Sequence, residues 1–278
     1  MNDTGQSRMD KSCRTGEPAD VPLSTLYQIM ASPRCEAVRF LLDAASSPYW
    51  VKSLLPGAHV AQVTLATRQP HVPALDANGK IVVGLGATVR HLAENPQPSA
   101  RWSAIDWSIL SRVPDALDVL DREFGRASEI LWYRAVLADP DFACALFSIG
   151  RGPTRRLIYK SVFPGVAAAL RRGWHLDDAA TVRAAEEVFR HGLDDAADDY
   201  ADPNRPTARG LVCAALASWV IPQPWCPFRL QGIAPDALKQ TRDAWAAHPT
   251  VALMTDAYRR HRGVSMAENH EIQGSGVI

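Results

Sequence analysis

The stretch from Leu26 to Leu42, which reads LYQIMASPRCEAVRFLL, constrains the fold more than any other part of the chain. The part up to Met30 is apolar enough to form a short buried strand. After Pro33 the apolar residues recur at helical spacing. Ser32 is a favoured N-cap residue, and Pro33 suits the first helical position because its missing N–H needs no partner there. The stretch therefore predicts a strand, a capping serine and a helix whose unpaired N–H groups face whatever lies in front of Ser32.

The composition is that of a globular protein able to bury a core, with 47% hydrophobic and 22% charged residues among 278. This length predicts two domains. The formal net charge is zero, so we expect no general attraction to nucleic acid or to a membrane. The five cysteines form no CxxC pair, which argues against a disulfide framework and against a structural zinc site. With neither a membrane span nor a secretory signal in view, we expect a cytoplasmic protein.

The order of elements from 24 to 95 is predicted as strand, helix, strand, short helix, strand, strand, helix. Asn78-Gly79 separates two short apolar runs, which is typical of a type I′ hairpin, and Asn95-Pro96 ends the following helix. From Trp102 onward the spacing is helical almost throughout. The predicted boundaries are a flexible tail at 1–22, a first domain at 23–95, a linker at 96–101, an all-helical domain at 102–264 and a second flexible tail at 265–278.

This organisation resembles the glutathione transferase family from about residue 24 to residue 262, and most closely its serine-type, theta-like members. Those proteins carry a run of the form LYLDLLSQPCRAV where this chain has LYQIMASPRCEAV, with Ser32 at the position of the catalytic serine. His71, Val72 and Pro73 stand where the family has x-Val-Pro. The resemblance implies a thioredoxin-like α/β domain followed by an all-α domain.

The same resemblance implies a function. In the family, the serine donates a hydrogen bond to the glutathione sulfur and favours the thiolate, which attacks a small apolar electrophile. Ser32 would be the catalytic residue, His71, Val72 and Pro73 would hold glutathione as co-substrate, and no metal would take part. We then expect a detoxification enzyme that forms a homodimer and binds neither nucleic acid nor membrane. The alternative for Ser32 is that it only caps the helix.

The expected γ-glutamyl site departs from the family pattern. The family has Glu-Ser after the hairpin, where Gly84 and Leu85 stand here. The loss of a hydrogen bond to a charged group costs about 1.5–3 kcal/mol, so glutathione binding is weakened unless other groups substitute. A further difference is Gly210, which replaces the aspartate of the family's Pro-Thr-x-Ala-Asp helix start and removes half of a capping arrangement.

Other candidate residues have alternatives of their own. Trp107, Leu110 and Trp132 fall on helices that line the electrophile pocket in the family, with plain core packing as the other interpretation. Cys35, one turn into the first helix, is interpreted as buried packing, because a dithiol mechanism would need a second thiol at Ser32. Two charged runs are interpreted as solvated faces rather than anion or metal sites. These are Arg151, Arg155, Arg156 and Lys160, and Asp194, Asp195, Asp198 and Asp199.

Two rival functions remain beside glutathione conjugation. The first is a non-catalytic, glutathione transferase-like module that binds a ligand or a protein, which Gly84 and Leu85 favour. The second is a thiol reductase that works through Cys35 alone.

Overall fold

The computed structural model of the 278-residue chain describes residues 24–96, 99–113, 115–221 and 234–262. The two predicted tails, 1–22 and 265–278, lie outside these ranges, as does part of the predicted linker. Within the described ranges, no helix combines the length and the apolarity needed to cross a bilayer.

A four-stranded sheet with three helices forms the first part of the described chain. Its elements are β1 (Ser24–Ile29), α1 (Pro33–Ala44), β2 (Tyr49–Leu54), α2 (His59–Thr67), β3 (Ala74–Ala77), β4 (Lys80–Val83) and α3 (Leu85–Glu94). The strand order is β2-β1-β3-β4, with β1 and β2 parallel and the other two pairs antiparallel. The predicted thioredoxin-like βαβ-ββα unit is confirmed.

The β3–β4 hairpin turns at Asn78 and Gly79, as predicted. Their φ angles are 57° and 91°, and positive φ at both central residues is what a type I′ turn requires. The Gly79 N–H donates to Asp76 Oδ1 over 2.7 Å, which ties the turn to the strand before it.

The rest of the described chain is helical, which confirms the predicted all-α part. Its helices are α4 (Ala100–Ser103), α5 (Ile109–Arg112), α6 (Ala116–Leu120), α7 (Arg126–Val136), α8 (Pro140–Phe147), α9 (Pro153–Gly173), α10 (Ala179–Asp195), α11 (Ala208–Ala217), α12 (Asp236–Ala246) and α13 (Pro249–His261). A π-helical turn, Asp121–Gly125, joins α6 to α7, and a 3₁₀ turn, Ala197–Tyr200, follows α10.

The helical spacing that begins at Trp102 predicts one helix over residues 102–125, and the structure instead has α4, α5 and α6 in this region. The interruption lies at Asp106, whose backbone N–H donates to the Pro206 carbonyl while its own carbonyl accepts from Ala208 N–H. The Asp106 side chain also accepts from the Ser108 N–H over 2.9 Å. These bonds replace the helical ones, so a contact with a segment 100 residues away overrides the local helical preference.

Helix α1 is enclosed between the two parts of the fold. It packs against α11 and α13, and all of its residues except Arg34 are buried. Arg262 donates its Nε–H to Glu36 Oε1 over 3.1 Å and makes a second ion pair with Asp43, and the Tyr258 hydroxyl donates to Glu36. A buried charge is tolerated where an opposite charge compensates it, so this cluster fixes how the α13 end docks on α1.

The start of α11 corrects the expectation of a solvated Asp199 and the expectation of a half-lost cap at Gly210. Thr207 caps the helix by accepting from the Gly210 N–H over 3.0 Å, and its hydroxyl donates to Asp199 Oδ1 over 2.6 Å. Arg209 pairs with the other oxygen of the same carboxylate at 2.6 Å. Asp199 is therefore a buried structural residue and not solvated surface. Asp199 supplies a carboxylate at this helix start, where the sequence has Gly210 in place of an aspartate. An added Cβ on Gly210 would lie 2.8 Å from Asp199 Cβ.

Candidate functional site

Ser32 caps α1 as the sequence predicts. Its backbone is extended, with φ −104° and ψ 128°, and its Oγ accepts from the Cys35 N–H at 3.4 Å. Pro33 occupies the first turn, where a missing N–H has no cost.

The environment of the Ser32 hydroxyl differs from that expected of a hydrogen-bond donor that is free to bind a thiol. Ser32 is only 4% exposed, and its Oγ lies 3.4 Å from Oε1 of Glu129, to which it donates. The hydroxyl thus has an acceptor on one side and a backbone donor on the other. Both of these partners are buried groups of the protein itself.

Glu129 belongs to an ionic network that joins α7 to the start of α1. Arg34 places its Nη1 2.6 Å from Glu129 Oε2 and its Nε 2.5 Å from Asp121 Oδ1. Burial raises the pKa of Glu129 to about 7, even though the charge of Arg34 opposes that shift. The carboxyl therefore changes charge near neutral pH. Glu129, Arg34 and Asp121 were not predicted as site residues.

Helix α7 also covers the residue before Ser32. Trp132, fully buried, donates its indole N–H to the Ala31 carbonyl over 2.8 Å and packs at 4.8 Å, centroid to centroid, on Trp219. The structure therefore favours core packing, the other interpretation of Trp132, over a place in an electrophile pocket. Its ring is part of the core, and its polar atom closes the interface between the two parts of the fold.

Cys35 is a packing residue, as predicted. It is fully buried, its Sγ accepts from the Ile29 N–H at 3.4 Å, and desolvation raises the pKa of its thiol to about 12. Because the thiolate is the reactive form, a thiol so protonated and enclosed does not support the reductase interpretation.

The His71-Val72-Pro73 loop leads into β3, an inner strand of the sheet, and lies beside the start of α3. His71 is exposed, Val72 is half-buried and Pro73 is buried, with a cis peptide bond between Val72 and Pro73. The Pro73 carbonyl accepts from the Gly84 N–H over 3.1 Å, so the two predicted halves of the glutathione site are adjacent.

At the start of α3, neither of the predicted residues offers a polar side chain. Gly84 has φ 85° and Leu85 is 1% exposed, packed in the core, so a contact between the Leu85 side chain and a ligand is ruled out. The carboxylate of Asp118 stands beside the first turn of α3, since its Oδ1 is 2.0 Å from where a Cβ on Gly86 would lie. Asp118 pairs with Arg90 at 2.9 Å.

Trp107 and Leu110 sit at α5 as partly buried residues packed against the core. The Trp107 ring stacks on Trp102 at 4.3 Å and donates its indole N–H to the Trp102 carbonyl over 3.3 Å. A cleft of about 630 Å³ lies elsewhere, between α7, α10 and α12, with Arg134, Arg190 and Trp245 in its lining. No predicted site residue lines that cleft.

Helices α8 and α9 form a hairpin that covers the carboxyl end of β2. The Tyr159 hydroxyl donates to the Pro56 carbonyl over 3.4 Å, and the Arg151 guanidinium donates to the Ser53 carbonyl. An aromatic chain connects the hairpin to α7 through Tyr133, Phe147 and Phe163. The carboxyl ends of parallel strands are where α/β sheets usually bind ligands, and here the side chains of Arg151 and Tyr159 reach the carboxyl end of β2.

In the part of the chain that the structure describes, no group of three or more His, Cys, Asp and Glu side chains is arranged to hold a metal ion.

Comparison with known proteins agrees with this architecture. Residues 26–100 match the family model described as glutathione S-transferase, N-terminal domain. The glutathione S-transferase of Ceriporiopsis subvermispora, crystallised in complex with glutathione, is 15% identical, with 87% of this chain and 98% of that chain covered and a TM-score of 0.54.

Two further solved structures are similar over most of their length. The glutathione S-transferase from Sinorhizobium meliloti 1021 is 16% identical over 87% of this chain and 95% of that chain, with a TM-score of 0.40. FzlA from C. crescentus is 15% identical over 84% and 91%, also with a TM-score of 0.40. No curated protein sequence matches. The chain thus has a glutathione transferase-like fold, a thioredoxin-like domain followed by helices, and its residues 26–100 match that family's N-terminal domain.

Proposed function

We propose that this chain is a glutathione transferase-like binding protein that does not use Ser32 for thiol chemistry. One observation carries the proposal, namely that the buried Ser32 hydroxyl already donates to Glu129 and accepts from the Cys35 amide. A hydroxyl that stabilises a bound thiolate must point its proton at the sulfur. Here the Ser32 hydroxyl donates its hydrogen bond to Glu129 instead.

The charges around Ser32 also work against a thiolate. Burial is the main reason that the pKa of the neighbouring Cys35 thiol is raised, and the charge of Glu129 adds to that rise. The charge of Glu129 would act in the same direction on a thiol bound at Ser32. Arg34 is the nearest compensating charge, but its guanidinium is held by Glu129 and Asp121. The α1 N-terminus therefore supports a thiolate less than an open helix start would.

The α3 end supports the same conclusion. Gly84 and Leu85 have no side-chain group for the γ-glutamyl part of glutathione, and the Asp118 carboxylate stands beside the same turn. The γ-glutamyl group carries a carboxylate and an ammonium group, and neither Gly84 nor Leu85 has a side chain that could pair with the carboxylate. Asp118 is already paired with Arg90.

A second candidate is the conjugation of glutathione to a small apolar electrophile by a cytoplasmic homodimer. The match of residues 26–100 to the glutathione S-transferase N-terminal domain favours it. In this alternative Ser32 would turn from Glu129 to the sulfur. His71, Val72 and Pro73 would hold glutathione, and Trp107 and Leu110 would face the electrophile.

Calorimetric titration with glutathione, together with a conjugation assay on an aryl halide, separates the two candidates. We expect no glutathione-dependent conjugation above the uncatalysed rate. Glutathione binding without turnover would identify the ligand and leave the proposal intact. Turnover that falls at least tenfold in Ser32→Ala, but not in Ser103→Ala at an exposed position, would overturn it.

A further inference from the structure

Helix α9 carries an apolar outer face of just under two turns that the described fold leaves uncovered. Tyr159 and Phe163 pack inward, whereas Leu157, Ile158 and Val162 are 72%, 61% and 53% exposed. The other exposed residues between Leu157 and Ala169 are Ser161, Pro164, Gly165 and Ala168, together with Lys160, which is the one charged residue of this stretch. We call Leu157, Ile158 and Val162 the α9 apolar face.

The turn that precedes α2 lies beside α9. A Cβ on Gly57 would lie 3.0 Å from Val166 Cγ2, so the turn that leads into α2 touches α9 one turn beyond Val162. On α2, Val60 is 44% exposed and Leu65 is 89% exposed. Both helices thus present large apolar side chains to solvent on neighbouring elements.

The charged side chains within the two stretches that hold α2 and α9 are all basic, and the carboxylates of Asp141 and Asp177, just outside the second stretch, pair with Lys160 and Arg171. No Asp or Glu occurs in residues 44–75 or in residues 142–176. The basic residues of these two stretches are Lys52, Arg68, Arg151, Arg155, Arg156, Lys160, Arg171 and Arg172. Because the whole chain has 30 basic and 30 acidic side chains, the excess acidic charge lies elsewhere. The zero net charge of the whole chain therefore does not reveal that these two stretches contain only basic charged residues.

The cations flank the α9 apolar face at both ends. Arg155 and Arg156 are exposed at the start of α9 and Arg172 is exposed at its end, while Lys160 lies 3.4 Å from Asp141. A second copy of the chain seated on this face would bring its own cations against these, in either orientation of the two helices. A surface that accepts apolar side chains and also carries negative charge is the better complement.

We propose that the α9 apolar face docks on an anionic lipid surface. Leu157, Ile158 and Val162 would enter the boundary between headgroups and acyl chains, and the flanking arginines would meet lipid phosphates. A lipid surface also suits the shape, because the exposed side chains project from a convex helix and a protein partner would need a matching groove. The proposal goes beyond the proposed function and does not depend on the chemistry at Ser32.

The test is flotation of the full chain with vesicles of phosphatidylcholine, alone or mixed with phosphatidylserine. We expect binding to the mixed vesicles only, decreasing as salt increases. Leu157→Asp with Ile158→Asp should lower the partition coefficient at least tenfold, and so should Arg155→Gln with Arg156→Gln. Leu253→Asp, at a 39% exposed position on α13, is the matched control and should bind as the unaltered chain does. Unchanged thermal unfolding of each variant verifies the fold.

Four results would overturn the proposal. One is the absence of flotation with mixed vesicles. Another is flotation that is insensitive to the Leu157 and Ile158 substitutions. A third is light scattering that shows a dimer dissociated by those substitutions without vesicle binding, which would assign the face to self-association. Binding of poly-glutamate through Arg155 and Arg156 without vesicle binding would instead indicate an acidic protein partner and would equally reject the lipid.

Discussion

Trp132 donates its indole N–H to the carbonyl oxygen of Ala31 over 2.8 Å and so joins α7 to the residue that precedes the α1 cap. The bond is fully buried and links residues 101 positions apart. It holds the helical part of the chain against the point where β1 ends.

Replacing Trp132 by Phe leaves the Ala31 carbonyl buried without this donor. An unsatisfied buried acceptor costs about 1–3 kcal/mol, and the smaller ring adds a cavity. We expect the free energy of unfolding in urea to fall by at least that amount. Trp107→Phe, which removes a 3.3 Å bond at a half-buried site, should cost less. Equal losses in the two variants would show that the Trp132 bond has no special role.

Ser32→Ala tests the structural role of the cap. Loss of a serine N-cap typically costs about 1 kcal/mol, because the Cys35 N–H loses its acceptor. We expect a lower thermal midpoint than in Ser103→Ala, and no change in any ligand affinity measured at the α9 apolar face. A Ser32→Ala chain as stable as the unaltered one would contradict the cap and leave the hydroxyl free for another task.

Glu129 should make stability depend on pH near neutrality. Its folded pKa of about 7 lies above the ordinary value of 4.5, so between these pH values the native state binds more protons than the unfolded state. The free energy of unfolding therefore falls as pH rises through this window, by an amount on the order of 3 kcal/mol.

The measurement is urea unfolding of the unaltered chain and of Glu129→Gln from pH 5 to pH 8. As pH rises, the free energy of unfolding of the unaltered chain should fall relative to that of Glu129→Gln. The histidines His59, His91 and His261, whose pKa values burial lowers, are common to both and cancel in the difference. Glu94→Gln at an exposed site serves as control, and a Glu129→Gln curve parallel to the unaltered one would refute the shifted titration.

Two helical glycines should respond to alanine with opposite signs. In α10, a Cβ on Gly192 would lie 2.2 Å from Phe124 Cδ2, and the buried Phe124 ring stacks on Phe189 at 4.9 Å. In α9, nothing lies within 4 Å of a Cβ on Gly165. Gly192→Ala should lose about 1–3 kcal/mol by overpacking, whereas Gly165→Ala should gain up to about 1 kcal/mol of helix propensity. Thermal unfolding measures both, and a gain in both would mean that the α10 contact is looser than described.

Cys35 should be unreactive in the folded chain. With no exposure and a pKa of about 12, it offers neither access nor thiolate to a modifying reagent at pH 8. Peptide mapping after iodoacetamide treatment should find Cys35 unmodified under native conditions and fully modified in urea. Modification of Cys35 within minutes in the native state would revive the reductase interpretation.

The sequence predicted the local elements well because local interactions decide them. The cap at Ser32, the Asn78-Gly79 turn and the strand–helix order follow from backbone preferences and apolar spacing within a few residues. The division of the first helix at Asp106 could not be predicted in this way, since its bonds run to Pro206 and Ala208.

The candidate site was less predictable than the fold. The sequence determined that Ser32 starts a helix behind a buried strand, and that Gly84 and Leu85 stand where polar contacts were expected. Only the tertiary structure decided that Glu129 and Trp132 contact that helix start. Glu129 is 97 residues from Ser32 and Trp132 is 101 residues from Ala31, and local sequence patterns do not reveal contacts at such separations. The same holds for the two stretches without acidic residues, 44–75 and 142–176, because only the tertiary structure places the turn at Gly57 beside Val166 of α9.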